Sequence, residues 1–315
     1  MVGAARWLRG LGWWCALLAG GLLVSLAVLA AQNPYAAQRG LLEALNELAL
    51  NGCSDAQLRA KFDTSSDPAS ANWAPALRSE WRAVRDELLA WERRFGQGSV
   101  PSFGAVDPVQ RGVAPHGQWQ TLWLQVFGRE TLAAQHFPRT MGLLRATPAT
   151  SAMFSSLPHG RGLEVHRGEL KFLLRYHLAL LVDPPAPGKS EEEEPLTLNV
   201  APRLFYRDDE DIIAERYSWR EGEDLLFDYT FIHSVTNARS GSGRRVVLFL
   251  DVPRADCGPP LGFFFDTLLR YALRFVPRLT DLARGVDLYM ERAEQRAEQQ
   301  HRVVASADFE HGQEL

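Results

Sequence analysis

The sequence is short of several things that would settle its class at once. Its 34 Lys and Arg residues are outnumbered by 38 Asp and Glu, for a formal charge of -4. There is no basic excess to draw it onto a nucleic-acid backbone, so nucleic acid is not an expected partner. It has three cysteines, too few for a disulfide framework, and one of them, Cys15, lies in an apolar run. Cys53 and Cys257 are left to pair or not; their spacing favours neither, and the count leaves the redox compartment open. No internal repeat is present. The one run of low complexity, Ser190 to Glu194 (SEEEE), reads as a solvated loop and is assigned no chemistry.

What the chain has is length and apolar content. With 315 residues, 46% of them hydrophobic, it can bury one large core or two small ones. Leu11 to Ala31 (LGWWCALLAGGLLVSLAVLAA) runs 21 residues without a charge, enough at ~1.5 Å per residue to span a ~30 Å hydrocarbon core. Arg6 and Arg9 precede it, and Trp7, Trp13 and Trp14 suit an interface. The segment predicts a single-pass membrane anchor. A cleaved signal peptide ending near Ala30 is the alternative, and the length counts against it, since apolar signal regions run about 7–15 residues. The basic flank places the N-terminus in the cytoplasm and the main domain across the membrane.

Organisation beyond the anchor follows the patterning. Tyr35–Leu50 reads as a helix, Asp63 to Pro75 (DTSSDPASANWAP) as a linker, and Trp81, Val84, Leu88, Trp91 and Phe95 mark an amphipathic helix by their spacing. Residues 1–10 form the basic flank, 11–31 the anchor, 32–100 a helical lead-in, 101–260 a strand-rich domain and 261–315 a helical segment with a fraying charged tail. Many short strands after a helical lead-in suggest an all-β barrel or sandwich with helices packed outside. Gly262 to Met290 mixes Phe263, Phe264, Phe265 and Leu269 with Arg270, Arg274 and Arg278. That segment either covers the barrel or lies on anionic lipid.

Chemistry concentrates between Phe154 and Asp183. From Leu170 to Leu181 the residues alternate, with Lys171, Leu173, Arg175, His177 and Ala179 on one face and Leu170, Phe172, Leu174, Tyr176, Leu178 and Leu180 on the other. Both faces are largely apolar, so the strand is expected to be buried on both sides. Arg175 and His177 then point together into an interior. A buried arginine is costly unless something anionic meets it, which makes this interior a candidate site.

Several runs, in this order and spacing, resemble the aspartyl/asparaginyl β-hydroxylase family, whose bacterial branch includes lipid A acyl-chain 2-hydroxylases. They are Trp119-Gln120-Thr121-Leu122, Phe137-Pro138-Arg139-Thr140, Phe154-Ser155-Ser156-Leu157-Pro158, His166-Arg167-Gly168, Leu174-Arg175-Tyr176-His177-Leu178, Trp219-Arg220-Glu221-Gly222-Glu223, Phe227-Asp228, His233, and Arg245 to Val252. The resemblance implies a mainly β fold, a double-stranded β-helix (jelly roll, cupin-like), that holds Fe(II), binds 2-oxoglutarate and hydroxylates an unactivated C–H bond with O₂. It implies His166 and His233 as iron ligands. Most of the wider superfamily adds a carboxylate to two histidines; this branch uses water instead, and Gly168 stands where that carboxylate would be. By the same resemblance Ser155, His177 and Arg245 hold the cosubstrate carboxylates, Arg245 through its planar fork. Arg175 would face an anionic substrate group or the cosubstrate, and Asp228 would orient a ligand or a strand end.

The chain departs from the family pattern FDDxFxHE, with Tyr229 and Ser234 in place of acids, and carries Ser240-Gly241-Ser242-Gly243 between His233 and Arg245. These changes bear on the substrate. The leading expectation is the β-carbon of Asp or Asn in a protein. The same chemistry on a lipid acyl chain is the first alternative, and a jelly-roll binding protein without turnover is the second. The side of the membrane stays open at this point, because the basic flank puts the domain outside the cytoplasm while 2-oxoglutarate and ferrous iron are most available inside it.

Overall fold

Two consecutive arginines at the start of one strand summarise how this fold is built. Arg244 points to one side of a sheet and meets a helix; Arg245 points to the other and meets the site. The residues described in this computed structural model are 34–56, 60–96, 99–107, 112–114, 118–204, 214–272 and 276–311. The chain divides into two units, Met1–Asn51 and Gly52–Leu315. In the first, the described structure belongs to helix α1 (Pro34–Gly52), close to the expected span. The expected anchor at 11–31 lies outside the described residues. Among the described residues no helix is long and apolar enough to cross a membrane.

The second unit is mainly β, as expected. After β1 (Lys61–Phe62) come α2 (Ala74–Ser79), α3 (Trp81–Phe95), the short α4 (Phe103–Val106), β2 (Gln120–Val126), β3 (Arg129–Glu130), a 3-10 turn (Leu132–His136) and α5 (Pro138–Leu144). Strands β4 (Ser151–Pro158), β5 (Leu163–His166), β6 (Leu173–Val182), β7 (Leu196–Val200), β8 (Glu215–Ser218), β9 (Asp224–Phe227), β10 (His233–Asn237) and β11 (Arg244–Pro253) follow. Helix α6 (Pro259–Thr267), a π-helical turn (Leu268–Ala272) and α7 (Pro277–His311) end it. The strands form two antiparallel sheets, one of seven in the order β1-β9-β6-β11-β4-β2-β3 and one of four in the order β5-β10-β7-β8. This is the paired-sheet arrangement of a jelly roll.

The two-residue period of the strands gives the large sheet two unlike faces. On one, Leu122, Leu124, Phe154, Leu174, Tyr176, Leu178, Leu180, Val246, Leu248 and Leu250 join Trp73, Leu77, Val84, Leu88, Trp91, Phe137, Met141 and Leu144 of the helical segments in one buried cluster. Each such side chain contributes about 1.5–3 kcal/mol by leaving water. The spacing of Val84, Leu88 and Trp91 is thus spent on this sheet. Arg244 fastens the same contact, donating from Nη1 at 2.6 Å and Nη2 at 2.7 Å to the buried Glu92 of α3. On the other face the register aligns His177 with Phe249, Arg175 with Asp251, and Ser155 with Val247. That face looks toward the small sheet.

Three expectations need correcting. The 63–75 stretch is a folded corner, not a linker. Asp63 accepts from Ser65 N and Oγ, Asp67 accepts from Ala69 N, Ser70 is fully buried, and Trp73 meets Tyr176 edge-on at 4.9 Å. Its polar residues are the turn-formers that let the chain bend there, which composition cannot tell from a linker. The acidic run is not merely solvated, since Glu191 binds buried Arg239 through both oxygens and Glu194 accepts from Ser240 Oγ at 2.7 Å. The charged tail does not fray after Glu291, because α7 continues to His311. Cys53 and Cys257, which spacing left open, form a disulfide across a sequence separation of 204.

Candidate active site

The small sheet supplies the two histidines. His166 ends β5 and His233 begins β10, and the two are direct cross-strand partners with ring centroids 4.1 Å apart. Each Nδ1 sits against the carbonyl two residues earlier, His166 on Glu164 at 2.6 Å and His233 on Phe231 at 2.9 Å. With Nδ1–H donating to a carbonyl, the lone pair is left on Nε2, the arrangement usual for metal-binding imidazoles. Burial is the main cause that lowers both rings from their ordinary value, with the neighbouring His166 adding to it at His233. Both are therefore neutral near pH 7, the form that binds a metal.

The turn between β9 and β10 fixes His233. Asp228 is fully buried and accepts from Lys171 Nζ at 2.7 Å, from Thr230 N at 3.0 Å and from Thr230 Oγ1 at 2.6 Å, and Arg254 donates to it as well. Asp256 holds Arg254 from its other side at 2.9 and 3.0 Å. Asp228 thus acts on a strand end, as expected. Tyr229, the residue that departs from the family pattern, fills the space beside Gly168, where a Cβ would come within 1.8 Å of its ring. Among the described residues no group of three or more His, Cys, Asp or Glu is placed to hold a metal.

The large sheet supplies three polar side chains to the same interior. Arg245, His177 and Ser155 come from β11, β6 and β4, adjacent strands, and line one cavity with His166, His233, Trp119, Phe227, Phe249 and Arg175. Arg245 is 2% exposed, lies over the Trp219 ring at 4.5 Å, and has Nε and Nη1 buried without a partner. Burial pushes it down to about 9. Both nitrogens of His177 are likewise buried without a partner. Burial, then Arg245, Arg175 and His233, hold its ring well below the ordinary value. Ser155 Oγ accepts from Trp119 Nε1 at 2.9 Å, which leaves its hydroxyl hydrogen to donate. The unfilled donors of Arg245, His177 and Ser155 fit a carboxylate.

Arg175 lies where the alternation put it. It reaches the same cavity, but its charge is already met: Nε donates to Asp251 at 3.0 Å, and the guanidinium lies between the rings of Tyr229 and Phe249 at 3.9 and 4.1 Å. The buried arginine that lacks an anion is Arg245. Sequence reasoning gave no role to Asp251, Tyr229, Trp119 or Trp219. The two tryptophans and Asp251 stood inside matched runs, which was the available signal.

The model of the Aspartyl/Asparaginyl beta-hydroxylase family matches residues 78–255, more than half of the 315. The chain belongs to the aspartyl/asparaginyl beta-hydroxylase family. The match begins within α2 and so takes in the helices packed on the large sheet. Among relatives in the family, the ornithine lipid ester-linked acyl 2-hydroxylase of Rhizobium tropici is 28% identical over 59% of this chain and 58% of its own length. The human aspartyl/asparaginyl beta-hydroxylase is 26% identical over 58% of this chain and 21% of its own. The chain spans under two thirds of either relative. Among solved structures, a prolyl-4-hydroxylase of Pseudomonas putida is 15% identical, with 66% of this chain and 99% of that one covered at a TM-score of 0.35.

The donor set fits the group this family implies. Two neutral imidazoles with free Nε2 atoms suit a ferrous ion, and the unpartnered donors of Arg245 and His177 suit the carboxylates of an oxo-acid beside it.

Proposed function

We propose that this chain is an Fe(II)- and 2-oxoglutarate-dependent hydroxylase. The observation that carries the reading is the buried, unpartnered Arg245 in the same cavity as two histidines whose Nδ1 atoms are both tied back. His166 and His233 would hold the iron. With 2-oxoglutarate and O₂ the iron supplies the oxidant, the oxo-acid leaving as succinate and CO₂ while one oxygen atom enters the substrate C–H bond. The chain's own part is binding and exclusion. Arg245 grips the far carboxylate, its charge finding there the anion the protein withholds. Ser155, held by Trp119, donates its hydroxyl, and His177, kept neutral, adds a ring N–H. Phe227, Phe249, Leu198 and Val235 line the same space and keep water from it.

For the substrate we favour a lipid acyl chain. Support comes from the Rhizobium relative, which is named for that reaction and is matched over more of its length than the human one. An Asp or Asn side chain of a protein is the second reading. The groove beside His166, lined by Arg161, Glu164, Ser234 and Thr236, is polar enough to receive a peptide. The Cys53–Cys257 disulfide and the basic flank together favour a domain facing an oxidising compartment, on a chain anchored at 11–31.

The test is succinate formation by the full chain, loaded anaerobically with Fe(II) and then given O₂ and 2-oxoglutarate. Turnover should vanish in His166→Ala and Arg245→Ala, and a preferred acyl lipid or Asp-containing peptide should raise the wild-type rate. No succinate from a folded, iron-loaded protein with either substrate class would leave a binding protein in place of an enzyme.

A further inference from the structure

Helix α6 and the π-turn after it have an inner face that packing explains and an outer face that it does not. Inside, Phe265 is 2% exposed and stacks flat on Phe172 with centroids 4.6 Å apart, and Leu269 is fully buried. Those contacts fix the roll of the helix. Outside, Phe263, Phe264 and Tyr271 are left 75%, 43% and 57% exposed. Among the described residues these are the only large hydrophobics in the exposed class that are aromatic; the others, Leu48, Leu132, Val165 and Leu288, are single aliphatics. Scattered apolar residues are ordinary at a surface, whereas three aromatic rings within nine positions form a patch.

We propose that this outer face lies in the interfacial layer of a lipid bilayer. Three observations choose that occupant. Aromatic rings are the side chains that settle at the boundary of water and hydrocarbon, and a short helix that rests on this layer needs neither the length nor the uniform apolarity of one that crosses it. Next, the chain carries a 21-residue uncharged run at 11–31, long enough to span a ~30 Å hydrocarbon core, so a bilayer is a surface this chain is expected to meet. Third, a second copy of the chain is a poor fit. Full burial of an aromatic covers about 150–250 Å², so three partly exposed rings fall well short of the ~800 Å² per partner of a stable protein interface. The inference does not rest on which substrate is hydroxylated, nor on turnover.

The experiment uses the full chain reconstituted in phosphatidylcholine vesicles containing a minority of phosphatidylglycerol. Phe264→p-benzoylphenylalanine and, separately, Tyr271→p-benzoylphenylalanine are irradiated, and adducts are identified by mass. Leu132→p-benzoylphenylalanine, at a partly exposed aliphatic on the 3-10 turn, is the control. Lipid adducts several-fold above the control at both positions are the expected result. Three results would overturn it: no lipid adduct at either position, equal labelling at Leu132, or adducts joining α6 to a second copy or to the 11–31 segment. Both probe positions point outward, so either variant should fold.

Discussion

Arg245→Met tests the site without any turnover. In the ligand-free protein Arg245 must keep its charge in a dry interior, and burial pushes it from its ordinary value down to about 9. At ~1.4 kcal/mol per pH unit, that is a cost on the order of 5 kcal/mol. The face of Trp219 at 4.5 Å returns up to ~2 kcal/mol, the upper range for a desolvated cation over an aromatic ring. About 3 kcal/mol remains as a penalty on the empty fold. Methionine keeps the apolar stem and removes the charge, so the variant should be more stable than wild type, by about 6–12 °C in melting midpoint for a domain of this size. The sign has a pH signature. Because the folded-state pKa is depressed, the folded protein holds this proton less tightly than the unfolded chain does. The cost is therefore complete below about pH 9 and shrinks as pH rises from there toward the ordinary arginine value. The advantage of Met should be level at neutral pH and fade in alkali. Anaerobic Fe(II) with 2-oxoglutarate at a hundred times its Kd should then stabilise wild type by roughly 3 kcal/mol and leave the variant unmoved. A variant less stable than wild type that keeps the ligand-induced shift would refute the assignment of Arg245 as an empty anion clamp.

Asp228→Asn should behave oppositely, because it removes a buried carboxylate that Lys171 and Arg254 both bind, their side chains 3% and 0% exposed. We expect a loss of about 3–5 kcal/mol in denaturant titrations, with weaker iron binding as the turn before His233 loosens. Gly168→Asp should not restore a two-histidine-one-carboxylate centre, since its Cβ would fall 1.8 Å from the Tyr229 ring. The single variant should bind Fe(II) worse than wild type in an anaerobic fluorescence titration, and adding Tyr229→Ala should recover part of the loss; tighter binding by the single variant would contradict the geometry. Cys53→Ser opens a covalent loop with a sequence separation of 204, worth up to ~5 kcal/mol by chain entropy, and reducing agent should lower the wild-type melting point to that of the variant.

Much of the site could be read from the sequence because its residues sit in strands, where a period of two fixes which way each side chain points. The alternation from Leu170 to Leu181 put Tyr176, Leu178 and Leu180 on one face and Arg175 and His177 together on the other, and the helix-packed cluster and the register of β6 on β11 agree with that division. The ligands were not legible this way. His166 and His233 stand at strand ends where periodicity is silent, and only the order of family-like runs singled them out. Nor could one sequence say that Asp251 meets Arg175, because that pair depends on how β6 and β11 align across 76 positions of chain. The 63–75 corner failed for a related reason, as Ser, Asp and Pro serve a buried turn and a solvated linker equally.

That pairing also explains why the site is left one negative charge short. Arg175 and Arg245 face the same cavity from neighbouring strands, and Asp251 is the carboxylate on β11 that could serve either. It stands opposite Arg175 in the register. From Arg245 it lies six residues along the same strand, about 20 Å at ~3.3 Å per residue, far outside hydrogen-bond reach. The next arginine along the chain gains nothing for Arg245 either, since Arg244 points through the other face to Glu92. The fold thus spends its carboxylates on the two arginines that organise it, Arg175 beside the histidines and Arg244 under α3, and leaves Arg245 to a ligand. On the function proposed above, a dicarboxylate entering this cavity would meet a guanidinium without a counterion and the imidazoles of His166 and His233. Its orientation follows from where the protein has, and has not, already neutralised itself.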